Sequence, residues 1–300
     1  MAQLRLVLFL ALTTGCGSGN DSGDSNCAQA SHFPALTADP ANSEYDDPSV
    51  EVSCTDDTVL VESNGIPAYE FVSVTPNGLS SQDWSWEIAR EPEISDTMTD
   101  IPLLGTAGFT VNGIPIYGPN EGEFPDPYGD PVYNEIMDYC LGHTGGNADY
   151  HYHALLAECI LANTEWVAGE PSPVLGYALD GFPIYGPWGC TDESCTEVVE
   201  FQSSWDTVGD PTTYAWDANE CTKDSCDEAS GEYLDRCNGR IGPDGAYRYH
   251  ATSSFPYILG CFHGTASADS GQGQPGGNGS GPGGQGPPGC DELPDRADCS

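Results

Sequence analysis

Positive charge is scarce in this 300-residue chain, and the scarcity excludes several kinds of partner. Seven lysines and arginines stand against 47 acidic residues, so the formal net charge is -40, and Lys223 is the sole lysine. A surface this acidic repels nucleic acid and anionic lipid, so neither is expected as a partner. It attracts cations, and it is also typical of general adaptation to a saline habitat.

Common catalytic motifs and long hydrophobic runs are absent as well. The chain has no G-x-S-x-G elbow, no H-E-x-x-H motif and no Walker loop, so serine-hydrolase, zincin and nucleotide-driven mechanisms lose their usual support. It has no C-x-x-C pair, which removes support for thioredoxin-like and zinc-ribbon interpretations. The apolar run from Leu6 to Leu12 is too short to span a bilayer.

The first 32 residues instead predict export and anchoring. Residues 1–15 combine Arg5 with that apolar run, as a signal peptide does, and they end in a segment that resembles a bacterial lipobox before Cys16. Cleavage there would leave a lipid-modified cysteine on a Gly/Ser/Asp-rich flexible tether over residues 16–32. We therefore expect a lipoprotein of the bacterial cell envelope, at the outer membrane or cell surface, that touches membrane only through this anchor. An ordinary signal peptide cut nearby is the alternative.

One long pattern occurs twice without a gap. The segments Cys140 to His153 and Cys237 to His250 lie 97 residues apart and share the skeleton C-x-G-[HR]-x-G-x4-Y-x-Y-H. Five of the six histidines lie in these segments or just after them. Any chemistry of the protein is therefore expected here.

A second element also repeats. N-G-I-P-I-Y-G-P at 112–119 matches D-G-F-P-I-Y-G-P at 180–187, 68 residues later, so the second unit holds about 29 extra residues that include four cysteines. We expect two halves of one domain, about 112–160 and 180–263, related by approximate two-fold symmetry.

These motifs resemble those of the YHYH-domain family of secreted proteins. The resemblance rests on the paired I-Y-G-P elements, on the tetrad Tyr150-His-Tyr-His153 and on the segment that ends at Cys261, and it covers roughly residues 50–264. It implies a fold family and no particular reaction, because the family has no established activity. In the second tetrad Arg248 replaces the first histidine, so a role that needs both histidines is not implied there.

Residue patterning predicts a mainly β fold with little helix. The alternation at residues 84–88 and the composition of 69–74 favour strands, and residues 132–139 and 154–160 each favour a short helix. The chain contains 37 glycines and 24 prolines, which favour long ordered loops. We expect a disulfide-stapled domain over 33–264 and a disordered Gly/Pro-rich tail over 265–300.

The cysteine count agrees with export. Thirteen cysteines leave twelve if Cys16 carries lipid, enough for up to six disulfides in an oxidising compartment. Following the repeat, the favoured pairs are Cys140–Cys159, Cys237–Cys261 and, in the tail, Cys290–Cys299.

The repeated histidines are the candidate metal ligands. On a strand, alternation places His151 and His153 on one face and the two tyrosines on the other. If the two-fold axis brings the halves face to face, His250 would approach His153, and His143 would complete a site for copper or zinc, the metals that several imidazoles favour. His263 is a weaker candidate. The alternative is a buried tyrosine–histidine hydrogen-bond network with a purely structural role.

The clustered arginines suggest a second kind of ligand. Arg236, Arg240 and Arg248 fall within 13 residues beside His250, and Arg240 and Arg248 are candidates to bind a small anion. The alternative is pairing with neighbouring acidic residues, namely Asp180, Asp235 or Asp244.

Two further hypotheses stay open at this stage. One is an extracellular enzyme that acts on a small anionic or carbohydrate-like substrate, with His153 or His250 as acid or base and Asp180 orienting a histidine. The other is a structural or adhesive surface module.

Overall fold

The computed structural model describes residues 27–123, 126–161 and 166–267, and this part of the chain is mainly β. The fifteen strands are β1 (Val50–Cys54), β2 (Thr58–Ser63), β3 (Trp84–Ala89), β4 (Thr106–Thr110), β5 (Pro115–Tyr117), β6 (Gly142–Thr144), β7 (Tyr150–Tyr152), β8 (Val174–Ala178), β9 (Pro183–Tyr185), β10 (Trp188–Cys190), β11 (Val198–Glu200), β12 (Trp205–Thr207), β13 (Asn219–Cys221), β14 (Gly239–Ile241) and β15 (Tyr247–His250).

Helix is confined to single turns among the described residues. The one α-helix there is α1 (Ala157–Ile160), and short 3-10 turns cover Gln29–His32, Pro40–Asn42 and Asp224–Cys226. The mainly β prediction is therefore confirmed. Residues 69–74, which composition assigned to a strand, instead form a loop, and residues 132–139, which were expected to be helical, form turns and loop.

An eight-stranded sheet forms the centre of the fold. Equivalent strands of the two repeats occupy equivalent positions in it, counted inward from its two edges. The order is β14-β15-β9-β8-β4-β5-β7-β6, so β6, β7, β5 and β4 in one half correspond to β14, β15, β9 and β8 in the other. In each half the outer hairpin is antiparallel, its inner strand pairs in parallel with the I-Y-G-P strand, and the next pairing is antiparallel again. The halves meet edge to edge through antiparallel β4 and β8.

Glycine allows the close approach of the two central strands. Gly108 and Gly176 lie beside the pair formed by Phe109 and Tyr177. A Cβ at Gly176 would lie 2.5 Å from the carbonyl oxygen of Phe109, and one at Gly108 would lie 2.6 Å from that of Tyr177. The seam between the halves therefore depends on both residues lacking a side chain.

A three-stranded sheet, β1-β2-β3, covers one side of this seam. Strand β3 alternates buried and exposed residues, as its sequence predicts, and its buried Trp86 stacks on Phe109 at 4.7 Å between ring centroids. The remaining ribbons, β10-β11 and β12-β13, belong to the insertion of the second half.

Five disulfides staple the described residues, namely Cys27–Cys54, Cys140–Cys159, Cys190–Cys195, Cys221–Cys226 and Cys237–Cys261. They include the two pairs that the repeat favours, each of which ties the start of a repeated segment to the chain that follows its Y-x-Y-H strand. Five disulfides indicate an extracytoplasmic protein. Cys16, Cys290 and Cys299 lie outside the described residues.

The folded part begins earlier than the expected boundary at residue 33. Cys27 is buried and bonded to Cys54, and Gln29 donates a hydrogen bond of 2.8 Å to the backbone carbonyl of Arg90. The expected tether over 16–32 is thus wrong for its last residues, because the composition of that stretch does not reveal the disulfide partner of Cys27. The expected signal peptide and most of the expected tail lie outside the described residues. No described helix is long and apolar enough to cross a membrane.

Replacing Gly176 with alanine should destabilise the protein by about 1–3 kcal/mol, because the new methyl group would overlap a backbone carbonyl in the central pairing. Chemical denaturation monitored by circular dichroism measures this loss. Gly78→Ala is the matched control, since a Cβ there meets nothing within 4 Å. Equal stability of the two variants would contradict a tight seam.

Candidate metal centre

The β6–β7 hairpin places two histidines directly opposite each other. In its register His143 pairs with His151, and Thr144 pairs with Tyr150. Alternation then carries His153, two residues beyond His151, to the same face. The ring centroids of the three imidazoles lie 4.8–5.3 Å apart.

Glu121 completes this cluster from the loop after β5. Its Oε1 lies 3.1 Å from Nε2 of His143 and 2.8 Å from Nε2 of His153. The loop is held by Asp126, whose carboxylate accepts hydrogen bonds from the backbone N–H groups of Glu121 and Tyr128. Strand β5 lies beside β7 in the sheet, so the loop that follows it reaches the histidine face.

Hydrogen bonds to the remote ring nitrogens orient two of the imidazoles. Nδ1 of His143 lies 3.1 Å from the carbonyl oxygen of Ile136, which can only accept, so this nitrogen carries a proton and donates it there. Nδ1 of His151 lies 3.3 Å from the carboxylate of Asp149, which also accepts a hydrogen bond of 2.7 Å from the hydroxyl of Tyr117. The Tyr117 ring stacks on His151 at 3.9 Å.

The cluster is buried and incompletely hydrogen-bonded. The three histidines are 2–4% exposed. Neither ring nitrogen of His153 has a hydrogen-bond partner in the described structure, and the same holds for Oε1 of Glu121, because their 2.8 Å contact is not aligned as a hydrogen bond. Buried polar atoms without partners are costly, so their presence here calls for an additional binding partner.

Burial also sets the charge of the cluster. It is the largest influence on His151 and lowers the pKa of that imidazole to about 4, so His151 is neutral at pH 7. Burial alone would raise the pKa of Glu121, but the contacts with His143 and His153 outweigh it and hold the pKa below its ordinary value. The site therefore presents the neutral imidazole of His151 and the ionised carboxylate of Glu121.

These four side chains have the geometry of a metal site. One ligand atom from each of Glu121, His143, His151 and His153 lies within 4.8 Å of the other three. Three imidazole nitrogens and one carboxylate oxygen are a ligand set for a divalent transition metal. A metal ion here would satisfy one of the two unpartnered ring nitrogens of His153 and Oε1 of Glu121.

The family model described as YHYH protein matches residues 85–264. The chain belongs to the YHYH family. A comparison with curated proteins gave no significant match, and neither did one with solved structures.

The tyrosines of the YHYH tetrad face away from the metal cluster and form a structural network. The Tyr150 hydroxyl donates to Asp138 at 2.7 Å and accepts from Tyr69, which also bonds Tyr152 at 2.7 Å. Tyr152 in turn accepts a hydrogen bond from the amide of Asn112. The structural interpretation therefore describes the tyrosine face, whereas the histidine face carries the four side chains that could hold a metal ion.

The second tetrad repeats the tyrosine network. Tyr247 donates to Asp235 at 2.8 Å, and Tyr249 donates to Asp180. In both halves the other oxygen of the first aspartate, Asp138 or Asp235, accepts two backbone N–H groups of the following turn.

His250 does not join the metal cluster, contrary to the sequence prediction. Strands β7 and β15 are five strand intervals apart in the sheet, roughly 24 Å. His250 instead donates from Nδ1 to the carbonyl of Gly186 at 2.8 Å and packs on Phe201. The prediction failed because the halves meet edge to edge, which places equivalent residues at opposite ends of the sheet.

The acid–base arrangement considered for an enzyme is not assembled either. His153 and His250 lie in different halves, and the Asp180 carboxylate is occupied by the Tyr249 hydroxyl and the backbone N–H of Gly264 rather than by a histidine ring. His263 lies 3.6 Å from Asp235, away from the cluster.

The arginines divide into two kinds. Arg240 and Arg248 face each other across β14 and β15, whereas Arg236 is half exposed and pairs with Asp227. Of the carboxylates expected as partners, Asp244 pairs with Arg248.

Sequence reasoning missed Glu121. It lies two residues beyond the first I-Y-G-P element, and its counterpart in the second half is Gly189, so the repeat itself gives no signal. The available hint was its position in the loop that follows a strand adjacent to the histidines.

Tyr150→Phe should cost about 1–3 kcal/mol of stability at pH 7, because the buried carboxylate of Asp138 loses a donor. Burial raises the pKa of Asp138, and the hydrogen bond from the Tyr150 hydroxyl opposes that rise. In the variant, Asp138 should therefore keep its proton to a higher pH. The loss of stability should therefore shrink as the pH falls and Asp138 becomes protonated. Denaturation at about pH 4.5 and at about pH 7 measures this difference.

Tyr133→Phe, at a tyrosine that is 59% exposed, is the control and should change stability little. A loss for Tyr150→Phe that does not vary with pH would contradict the role given to the Asp138 carboxylate.

Proposed function

We propose that the protein is an extracytoplasmic metal-binding protein that holds one copper or zinc ion through His143, His151, His153 and Glu121. The observation that carries this proposal is the buried cluster in which three imidazoles and one carboxylate converge, and in which His153 and Oε1 of Glu121 lack hydrogen-bond partners. Three imidazoles favour copper or zinc over calcium and magnesium, which prefer oxygen ligands.

The surroundings of the cluster support the same function. Asp149 and the Ile136 carbonyl hold the remote nitrogens of His151 and His143, the arrangement that fixes imidazole tautomers in metalloproteins. Tyr117 in turn hydrogen-bonds Asp149. At pH 7 the neutral ring of His151 can offer its lone pair to an ion without first losing a proton, which lowers the cost of binding.

The charge of the whole chain favours cation capture. With a net charge of -40, the protein concentrates divalent cations near its surface and speeds their encounter with the site. Four protein ligands in a buried cluster would meet the four-coordinate preference of zinc, which suits retention or transfer of an ion.

The metal-binding test is a titration of the full-length oxidised chain with zinc and with copper, with metal content measured by mass spectrometry. We expect one tightly bound equivalent, and a stabilisation of about 2.7 kcal/mol when free metal reaches 100 times the dissociation constant. His153→Ala and Glu121→Gln should remove the tight equivalent. Asp149→Asn should weaken affinity by about 10–100-fold, because it only orients His151.

His250→Ala is the matched control, since it removes the equivalent imidazole of the other half and should leave the tight equivalent in place. A folded wild-type chain that binds neither metal would overturn the proposal. So would unchanged affinity in both His153→Ala and Glu121→Gln.

We also propose that the mature chain is tethered to the cell envelope by lipid on Cys16. The lipobox-like segment and the odd cysteine count support this, because ten of thirteen cysteines are paired in the described residues and Cys16 directly follows the signal-like run. In detergent phase partitioning, wild type should enter the detergent phase and Cys16→Ser the aqueous phase. Recovery of both in the aqueous phase would contradict the anchor.

A further inference from the structure

The second half has a pocket at the position that the metal cluster occupies in the first. The hairpin registers are identical, so each residue of the cluster has a defined counterpart. The counterparts are Arg240 for His143, Arg248 for His151, His250 for His153 and Gly189 for Glu121. All four line the pocket. The two hairpins thus have the same backbone register, but the second carries guanidinium groups in place of two imidazoles and has no carboxylate at the position of Glu121.

Because of these replacements, the pocket of the second half favours a negatively charged ligand, whereas the cluster of the first half favours a positively charged one. Arg240 and Arg248 are directly opposed across β14 and β15, and like charges at such a position are destabilising unless something lies between them. Among the described residues Arg240 makes no salt bridge, and its guanidinium donates hydrogen bonds to the backbone carbonyls of Gly231, Thr191 and Ile241. Asp149, which supports His151 in the first half, is replaced by Ala246.

Aromatic rings hold both guanidinium groups in place. The Arg240 guanidinium lies 4.4 Å from the centroid of Phe201, and that of Arg248 lies 4.7 Å from the centroid of Tyr185. Phe201 also occupies the space that a side chain at residue 189 would need, since a Cβ there would lie 2.5 Å from its ring. The pocket therefore has no room for a carboxylate side chain at residue 189. Its two guanidinium groups are held in position before a ligand binds.

One guanidinium donor in the pocket has no partner. Arg248 pairs through Nη2 with Asp244, an exposed residue, while its buried Nε makes no hydrogen bond. A buried guanidinium N–H without an acceptor is costly. An oxygen atom from a bound anion would satisfy it.

The pocket has room for a small oxyanion. Its volume is about 70 Å³, where a single water needs roughly 10–15 Å³ by the same measure. That space suits an ion of a few heavy atoms and not a large organic molecule.

We propose that the pocket lined by Arg240, Arg248 and His250 binds a small oxyanion, held between the two guanidinium groups. The protein would then carry a cation site and an anion site at equivalent positions of its two halves. The oxyanion can be tetrahedral, as in phosphate or sulfate, or a carboxylate, because guanidinium groups recognise both.

The test is isothermal titration calorimetry of the full-length oxidised chain with inorganic phosphate, sulfate and acetate, in chloride buffer. We expect saturable binding of one equivalent of at least one of them. Arg240→Gln and Arg248→Gln should each weaken it by about tenfold or more, since each removes charge-assisted hydrogen bonds. Preference for acetate would assign a carboxylate ligand, and preference for phosphate or sulfate a tetrahedral one.

Arg236→Gln is the matched control, because it removes an arginine of the same cluster that does not line the pocket, and it should leave affinity unchanged. Arg248→Lys tests a variant that keeps the charge, and melting curves establish that each variant is folded. No saturable binding of any of the three anions would overturn the proposal, as would equal losses in Arg236→Gln. Anion binding that is lost in His153→Ala and kept in Arg248→Gln would place the anion at the metal cluster and also overturn it.

Discussion

The buried hydrogen bond between a tyrosine and an aspartate in each half fixes the hairpin register on which both sites depend. Tyr150 bonds Asp138 and Tyr247 bonds Asp235, and each aspartate also accepts two backbone N–H groups of the turn that starts the hairpin. Because strand side chains alternate, a slip of one residue would turn the opposite face inward. With the register held, His151 and His153 share one face of the first hairpin with His143 on the opposite strand. Arg248 and His250 share the equivalent face of the second hairpin with Arg240.

That shared face carries different chemistry in the two halves. In the first half it presents three imidazoles to a carboxylate from the loop after β5, and in the second it presents two guanidinium groups and one imidazole to a pocket. The tyrosine face stays nearly constant while the other face changes, which separates the residues that hold the fold from those that bind. Edge-to-edge pairing of β4 with β8 then keeps the two sites at opposite ends of one sheet.

Much of this arrangement was predictable from the repeats, because their spacing and alternation place His151 and His153 on one face and the tyrosines on the other. The joining of the halves was not predictable, since two-fold symmetry is satisfied equally by face-to-face and edge-to-edge contact, and only the first would bring His250 to His153. Glu121 escaped prediction because loop position, not strand periodicity, brings it to the histidines. Cys27 looked like part of the tether because its partner is 27 residues away in sequence.

The most direct measurement of the central claim is anomalous X-ray diffraction at the zinc and copper absorption edges from crystals of the full-length chain grown with each metal. One anomalous peak should lie between His143, His151, His153 and Glu121, with ligand distances of about 2.0–2.2 Å. The pocket of Arg240 and Arg248 should show no such peak. A first-half cluster without a peak, in crystals where the metal occupies another site of the chain, would contradict the assignment of these four residues as the metal centre.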